Sequence, residues 1–303
     1  MNVRTNRRTL STIVAIEGVG LHSGLYTKID LRPAAAGDGV VFIRTDLRGL
    51  RIPAHQSSTT ALDYATSVGV DDVSIGTVEH LLAAVAALRI TDLEILIDGP
   101  EVPIIDGSAA PFVHLIDAAG IRDLNEAIEP LVILEPIHVE HGDKWIRIEP
   151  ADELSIRYTI DFPHPSIGLQ SIDYLFDSRS FEKEIAPART YGFMAEVEKL
   201  RSLGLARGGS VENCIVLDDE GITNGPLRFQ DEFVRHKIGD LVGDLAVLGG
   251  RIRGHIVAER PSHAGNFELA KEILAAANRS RGEGVVDITK IMQYLPHRYP
   301  MLL

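Results

Sequence analysis

Cysteine is almost absent from this sequence, and the shortage bears on where the chain works. With Cys214 as the single cysteine in 303 residues, no internal disulfide can form. The opening MNVRTNRRTL lacks the apolar stretch of a secretory signal, so a reducing, cytoplasmic setting is expected. Long apolar runs are missing as well. The strongest, LLAAVAAL from Leu81 to Leu88, falls far short of the ~20 residues that span a bilayer, which excludes stable insertion by a helix. Positive charge is scarce: 30 Lys and Arg stand against 43 Asp and Glu, a net charge of −13. Nucleic-acid binding depends on clustered Lys and Arg that displace phosphate counterions, so it is excluded as a general function.

What remains is an ordinary globular composition, 45% hydrophobic and 24% charged, in a chain long enough for two domains. Alternating or β-branched runs at Leu10–Glu17, Tyr26–Arg32, Val40–Arg44 and Leu93–Asp98 predict strands. A helix is expected to start near Thr77 as N-cap and to carry VEHLLAAVAAL, and another to cover Ala110–Ala119 behind Pro111. The polar run DLNEAIEP, Asp123 to Pro130, ends in proline and marks a domain boundary. Beyond it, strands are predicted at Leu131–Val139, Lys144–Glu149, Glu153–Ile160 and Gln170–Phe176. Helices follow at Gly192–Leu203, Phe233–Leu248 and Ala264–Ser280. Strands followed by helices in each half imply an α+β class, and the shared order hints at duplication.

The segment FVRHKIGDLVGD, Phe233 to Asp244, carries the first chemical signal. At about 100° per residue Asp240 and Asp244 share a face with His236, while Val234, Ile238, Leu241, Val242 and Leu245 lie opposite. Such an i,i+4 imidazole and carboxylate is either a surface helix contact or a chelating pair for a divalent cation. A catalytic zinc site needs three protein ligands and an open fourth position. His80 in GTVEHLLAA is the best third donor, although alone it reads equally as a partly buried histidine at a helix start. The zincin spacing is absent, because Gly76 and Ala84 stand four residues either side of His80, which excludes a standard metalloprotease. Glu79 is placed to act as general base. His263, expected in a loop before the last helix, is available to a cleft, and Asp244 could hold it protonated. The runs GVGLHSG, Gly18–Gly24, and LARGGS, Leu205–Ser210, are turns or phosphate cradles, and they match neither the dinucleotide fingerprint nor the P-loop.

Eight motifs in order, GVGLHSG, TVEHLLAA, PIIDGSAAPFV, DFPHP, ARTYGFM, GGSVENCIV, DEFVRHKIGDLVGDL and SHAGN, resemble the UDP-3-O-acyl-N-acetylglucosamine deacetylases of lipid A synthesis. The resemblance runs from about Arg8 to Arg279. It implies two similar α+β domains, 1–125 and 126–284, each a small sheet packed against helices, with the active site between them. It implies Zn2+, with Fe2+ as the alternative, on His80, His236 and Asp240, and Glu79 as base. His263 matches the catalytic histidine with Asp244 as its partner, and Thr190 matches the threonine that hydrogen-bonds the oxyanion. Lys237, expected to point to another side of the helix from the ligands, matches a lysine facing the diphosphate of the UDP-sugar. Lys144 and Phe162 match a phosphate or sugar contact and the uracil-stacking aromatic. The segment Phe193–Gly209 corresponds to the passage for the acyl chain, with Phe193, Met194 and Val197 as its lining and Gly209 at its end. Their helical spacing equally fits a core face. Ser262 stands where glycine is common and implies a more restricted loop backbone. A protein that retains a metal or nucleotide-sugar without turnover is the competing class, and the presence of Glu79 and His263 argues against it.

The tail VVDITKIMQYLPHRYPMLL, Val285–Leu303, resembles the start of 3-hydroxyacyl-[acyl-carrier-protein] dehydratases. The resemblance implies that these residues are the start of a fused hot-dog-fold dehydratase domain that continues beyond the chain end.

Overall fold

The computed structural model describes residues 5–61 and 64–280; the dehydratase-like tail lies outside the described residues. In the first half, strands β1 (Val14–Val19), β2 (Tyr26–Pro33), β3 (Val40–Arg44) and β4 (Leu50–Pro53) are followed by helix α1 (Glu79–Ala87). Strand β5 (Leu93–Ile97) and helix α2 (Ala110–Ala119) complete it. The second half repeats the plan with β6 (Ile137–His141), β7 (Lys144–Glu149), β8 (Ser155–Phe162) and β9 (Gly168–Leu175). Helices α3 (Met194–Ser202) and α4 (Glu232–Leu245), strand β10 (His255–Glu259) and helix α5 (His263–Ser280) follow.

Each half forms a five-stranded sheet, in the orders β1-β2-β5-β3-β4 and β6-β7-β10-β8-β9. Numbered within its own half, each sheet reads 1-2-5-3-4. In both, the last strand enters the centre antiparallel to the second and parallel to the third. The α+β class and the two similar units are therefore present in the topology itself. The alternation that forms these strands is direct: Leu93, Ile95 and Ile97 of β5 are buried, as are Ile156, Tyr158 and Ile160 of β8, while Arg157 between them pairs with Asp173 on the exposed face. Helix α4 packs on β8 and β9, α5 on β6 and β7.

Several boundaries differ from expectation for local reasons. Leu10–Glu17 is two strands, Thr5–Leu10 and Val14–Val19; the first pairs with Ile121–Ile128 rather than with the sheet. That pairing absorbs most of the polar run expected as a linker, so the expected division after residue 125 falls inside a strand. Leu131–Val139 likewise splits, at Leu131–Val132 and Ile137–His141. The helix expected from Gly192 starts at Met194, because Tyr191–Phe193 pairs with Ile215–Leu217. Thr77 does not cap α1. The N-cap is Val78, without a side-chain bond, while Thr77 sits at φ 55° with its hydroxyl donated to buried Glu101 at 2.7 Å.

The two halves meet along α1 and α4. Helix α1 is apolar nearly all round and buried along its length except at Ala86, as a helix enclosed on every side must be. Its first turn lies against α4 at Gly243, where a Cβ would overlap the Glu79 carbonyl oxygen. Backbone cannot yield as a flexible side-chain end can. Gly243→Ala is therefore expected to lower stability by about 1–3 kcal/mol, the usual penalty for overpacking. A denaturant midpoint equal to that of the parent protein would contradict the close approach.

Candidate active site

Three side chains converge where α1 crosses α4. His80 is the second residue of α1, and His236 and Asp240 lie one turn apart on α4. Their ligand atoms lie within 4.8 Å of one another. Asp240 Oδ1 is 3.3 Å from His236 Nε2 and 3.7 Å from His80 Nε2, and the imidazole rings meet edge to face at 5.1 Å. All three residues are buried, at 5%, 5% and 3% exposure for His80, His236 and Asp240. The surface-contact reading of the His236–Asp240 pair is thus excluded.

Asp240 Oδ1 is buried and has no hydrogen-bond donor among the described residues, an arrangement that is costly unless a cation satisfies it. His236 donates its Nδ1–H to the Ala188 carbonyl at 3.1 Å, which leaves the Nε2 lone pair facing the cluster. Burial, followed by the nearby His236, pushes the His80 pKa down to about 3, and burial lowers that of His236. Both shifts favour the neutral form, the state in which imidazole binds metal. At Asp240 burial works to raise the pKa, but His236, Lys237 and His263 hold the carboxylate well below its usual range. The donor set, two neutral imidazoles and one carboxylate with a free oxygen, fits a divalent cation.

Lys237 departs from expectation. It turns back along α4, and its Nζ donates to Asp240 Oδ2 at 2.9 Å. Burial opposes its charge, yet Asp240 outweighs burial and holds the ammonium protonated. An i,i+3 spacing places the two side chains as neighbours, a contact that the helical angle alone obscured because a lysine stem reaches far round the cylinder.

A second group adjoins the first. Glu79 is buried, and burial pushes its pKa up to about 8. Its Oε2 accepts the backbone N–H of Thr66 at 3.0 Å. His263 is the first residue of α5 and not part of a loop. Ser262, ahead of it, is absent from the left-handed positions, so serine is unstrained there, and its hydroxyl accepts the Gly265 N–H at 3.4 Å. His263 Nδ1 donates to Asp244 Oδ2 at 2.7 Å, and its Nε2 lies 4.0 Å from Asp240 Oδ2. Burial works against the imidazolium, but the charge and hydrogen bond of Asp244 raise the pKa to about 9.

Sequence reasoning missed the residue that joins these groups. Thr66 is buried, its N–H holds Glu79, and its hydroxyl donates to Asp244 Oδ1 at 2.6 Å while lying 3.3 Å from His263 Nδ1. It is 178 residues from Asp244, and no local pattern marks it. Asn266, in the quoted SHAGN, adds a donor to Asp244 Oδ2 at 2.9 Å.

The remaining expected residues flank this centre. Thr190 lies two residues past Ala188, its backbone tied to Gly107 and Ile215. Phe162, half-buried at the end of β8, stands 5.9 Å from Tyr191 and from Phe193, and Tyr191 stands 6.2 Å from His236. Lys144 is exposed at the start of β7, beside Trp145, which pairs with Glu259 just ahead of α5. No residue of α3 is buried, and Met194 is 50% exposed, so Met194 and Val197 do not belong to a core face. Gly209 lies near Leu21. The two glycine-rich runs lock together, with the N–H groups of Arg207 and Gly208 donated to His22 and Leu21 carbonyls. Those groups are therefore committed to the turns.

Residues 7–275 match the family model described as LpxC: UDP-3-O-acyl N-acetylglycosamine deacetylase. The chain is 50% identical to the UDP-3-O-acyl-N-acetylglucosamine deacetylase of Myxococcus xanthus over 272 residues, covering 89% of this chain and 87% of that one. The protein of that name from Anaeromyxobacter dehalogenans is 44% identical over 295 residues, 96% of each chain. The one from Leptospira biflexa is 42% identical over 303 residues, 99% of this chain and 97% of its own. That last match takes in nearly the whole chain, tail included, within a relative named as a deacetylase alone, so the expected fused dehydratase finds no support.

Thr66→Val removes the hydroxyl but keeps the shape, leaving Asp244 Oδ1 buried without its donor. A loss of about 1–3 kcal/mol in denaturant unfolding is expected, with most of it recovered in Thr66→Ser. Equal stability of the valine and serine variants would remove the hydroxyl from this network.

Proposed function

The chain belongs to the UDP-3-O-acyl-N-acetylglucosamine deacetylase family, and from that premise we propose that it hydrolyses the N-acetyl group of UDP-3-O-acyl-N-acetylglucosamine in lipid A biosynthesis, with zinc held by His80, His236 and Asp240. The observation that carries this reading is the joining of the buried two-His, one-Asp cluster at the crossing of α1 and α4 to Glu79 and, through the start of α5, to the His263–Asp244 pair. Fe2+ suits the same donors. We take residues 1–125 and 126–284 as the two units, with substrate between them, and a cytoplasmic setting in which Cys214 stays reduced.

Zinc in such a site supplies Lewis acidity, polarising the amide carbonyl and easing deprotonation of water. The protein's own groups do the rest. Glu79, with Oε2 occupied by Thr66, accepts the proton of the attacking water; a carboxylate raised toward neutrality is suited to that task. As water oxygen bonds to the acetyl carbon, negative charge grows on the carbonyl oxygen, where the Thr190 hydroxyl and the His263 imidazolium stabilise it. Because Asp244 takes the Nδ1–H, His263 offers its Nε2–H to the sugar nitrogen. The C–N bond then breaks with the electron pair and that proton on nitrogen, releasing acetate and a free amine. Asp244, fixed by Thr66 and Asn266, keeps the imidazole oriented and charged.

Outside the reacting centre, Lys237 and Lys144 offer positive charge to the diphosphate and sugar, and Phe162 offers a ring face to uracil. The half-buried Phe193 and Val197, with Gly209, border the path for the acyl chain. The exposed apolar surface of Met194, Leu203 and Val211 supports that reading, since a chain laid there removes it from water.

Two experiments test the assignments. Glu79→Ala should keep its metal, measured by plasma mass spectrometry, while turnover falls by roughly 10²–10⁴-fold. His80→Ala and His236→Ala should lose metal together with activity, and full occupancy in both would sink the ligand set. The pH–rate profile should be bell-shaped. Protonation of Glu79 forms the acid limb, and loss of the His263 proton near pH 9 forms the alkaline one. Removing the charge that raises the imidazole pKa must move that limb to lower pH in Asp244→Asn. An unmoved alkaline limb would take His263 out of the mechanism.

A further inference from the structure

Between the two halves, further along α1 than Glu79 and His80, lies a second cavity of about 390 Å3. Its walls are Leu82 and Val85 of α1, Val242 and Leu245 of α4, and Ile156 and Phe176 of the second half. None of the residues assigned to the active site lines it. Its size is that of a small-molecule site, and apolar walls with a few convergent polar groups are the usual form of one.

The polar groups at its edge are Thr5, Asn6, Thr91 and Asp123 together with three arginines. Arg8, Arg89 and Arg251 all line it, in a chain whose net charge is −13. Arg8 stands 3.5 Å from Asp123 and also donates to the Leu88 carbonyl, and Arg251 pairs with Glu153. Arg89 makes no ion pair or side-chain hydrogen bond among the described residues. Partial burial, then the charges of Arg251 and Arg8, lower its pKa, against Glu153 and Asp177. Its backbone is also unusual. Arg89 follows the C-cap of α1 at φ 58°, the left-handed position that glycine takes without strain. A left-handed position thus carries an exposed guanidinium, in no direct ion pair among the described residues, at the mouth of a largely apolar cavity.

We propose that this cavity is a binding site for a free fatty acid anion, its alkyl chain between α1 and α4 and its carboxylate on Arg89. Charge complementarity selects the headgroup: a guanidinium in no direct ion pair is matched by a carboxylate, which it can hold by two parallel hydrogen bonds. The apolar walls suit an alkyl chain. Because the walls belong to the helices that carry the active-site cluster, an occupant packs against both.

Titration calorimetry with dodecanoate on the metal-loaded protein tests this. Arg89→Gly should weaken the binding at least about tenfold, the loss expected for a charged hydrogen bond. It should not lower the melting temperature, since glycine suits the backbone there. Ala86→Trp, on the partly exposed side of the cavity, should remove the same binding event by filling it. Val197→Trp, in the proposed acyl passage, should leave it intact, which separates this site from substrate binding. Dodecanol, of equal length but uncharged, should bind far more weakly than dodecanoate. Binding unchanged in both Arg89→Gly and Ala86→Trp would overturn the proposal, as would equal affinity for the alcohol and the acid.

Discussion

Gly243 has no side chain, and because of that the backbone of α1 at Glu79 can lie directly against α4. Two packed helices are ordinarily held about 8–10 Å apart by the side chains between them. Here one contact falls to backbone against Cα, and the first turn of α1 is drawn to within reach of residues on α4. His80 and Asp240 come from different halves of the chain, so neither half can hold a cation with this donor set. The crossing also carries Glu79 to Thr66 and, through Thr66, to Asp244 and His263. The distances from His80 and Glu79 to the residues of the second half depend on that approach.

Burial of so many ionisable groups is tolerable because their interactions are mutual. Asp244 receives donors from Thr66, Asn266 and His263, so its charge is solvated by protein in place of water. Asp240 has Lys237 on one oxygen and two neutral imidazoles beside the other. The cluster is arranged so that its histidines are pushed apart: burial lowers the pKa of His80 and of His236, with His236 adding to the effect on His80, whereas the carboxylate beside His263 raises its pKa. Environments that push like groups apart in this way divide ligand from acid.

Much of this was legible in the sequence where the signal is local. The 3.6-residue period of α4 put His236, Asp240 and Asp244 on one face, and alternation marked most of the sheet strands. The eight ordered motifs carried the family. What was lost was non-local or depended on side-chain reach. Thr66 is invisible because its partners lie far along the chain. Lys237 was assigned the wrong direction because an angle on a helical wheel takes no account of a four-carbon stem. Thr77 looked like a cap, but its hydroxyl serves Glu101, which also receives the His22 and Ser23 N–H groups. Leu10–Glu17 read as one strand, although its first part belongs with Ile121–Ile128, a pairing that no short window contains. His263 was expected in a loop between the strand-like Arg251–Glu259 and a helix starting at Ala264, yet that helix takes in His263 as its first residue, a one-residue difference at an element end.

The repeated 1-2-5-3-4 order has a mechanical meaning. Helices α1 and α4 occupy the same place in their respective units, each joining the fourth strand region to the central strand. An ion shared by His80 on one and His236 and Asp240 on the other is then a stitch across a pseudo-symmetric seam. The free energy of binding such an ion would add to the docking of the halves. Without such an ion, the loss would fall first on the seam between α1 and α4, where the two halves share one continuous core.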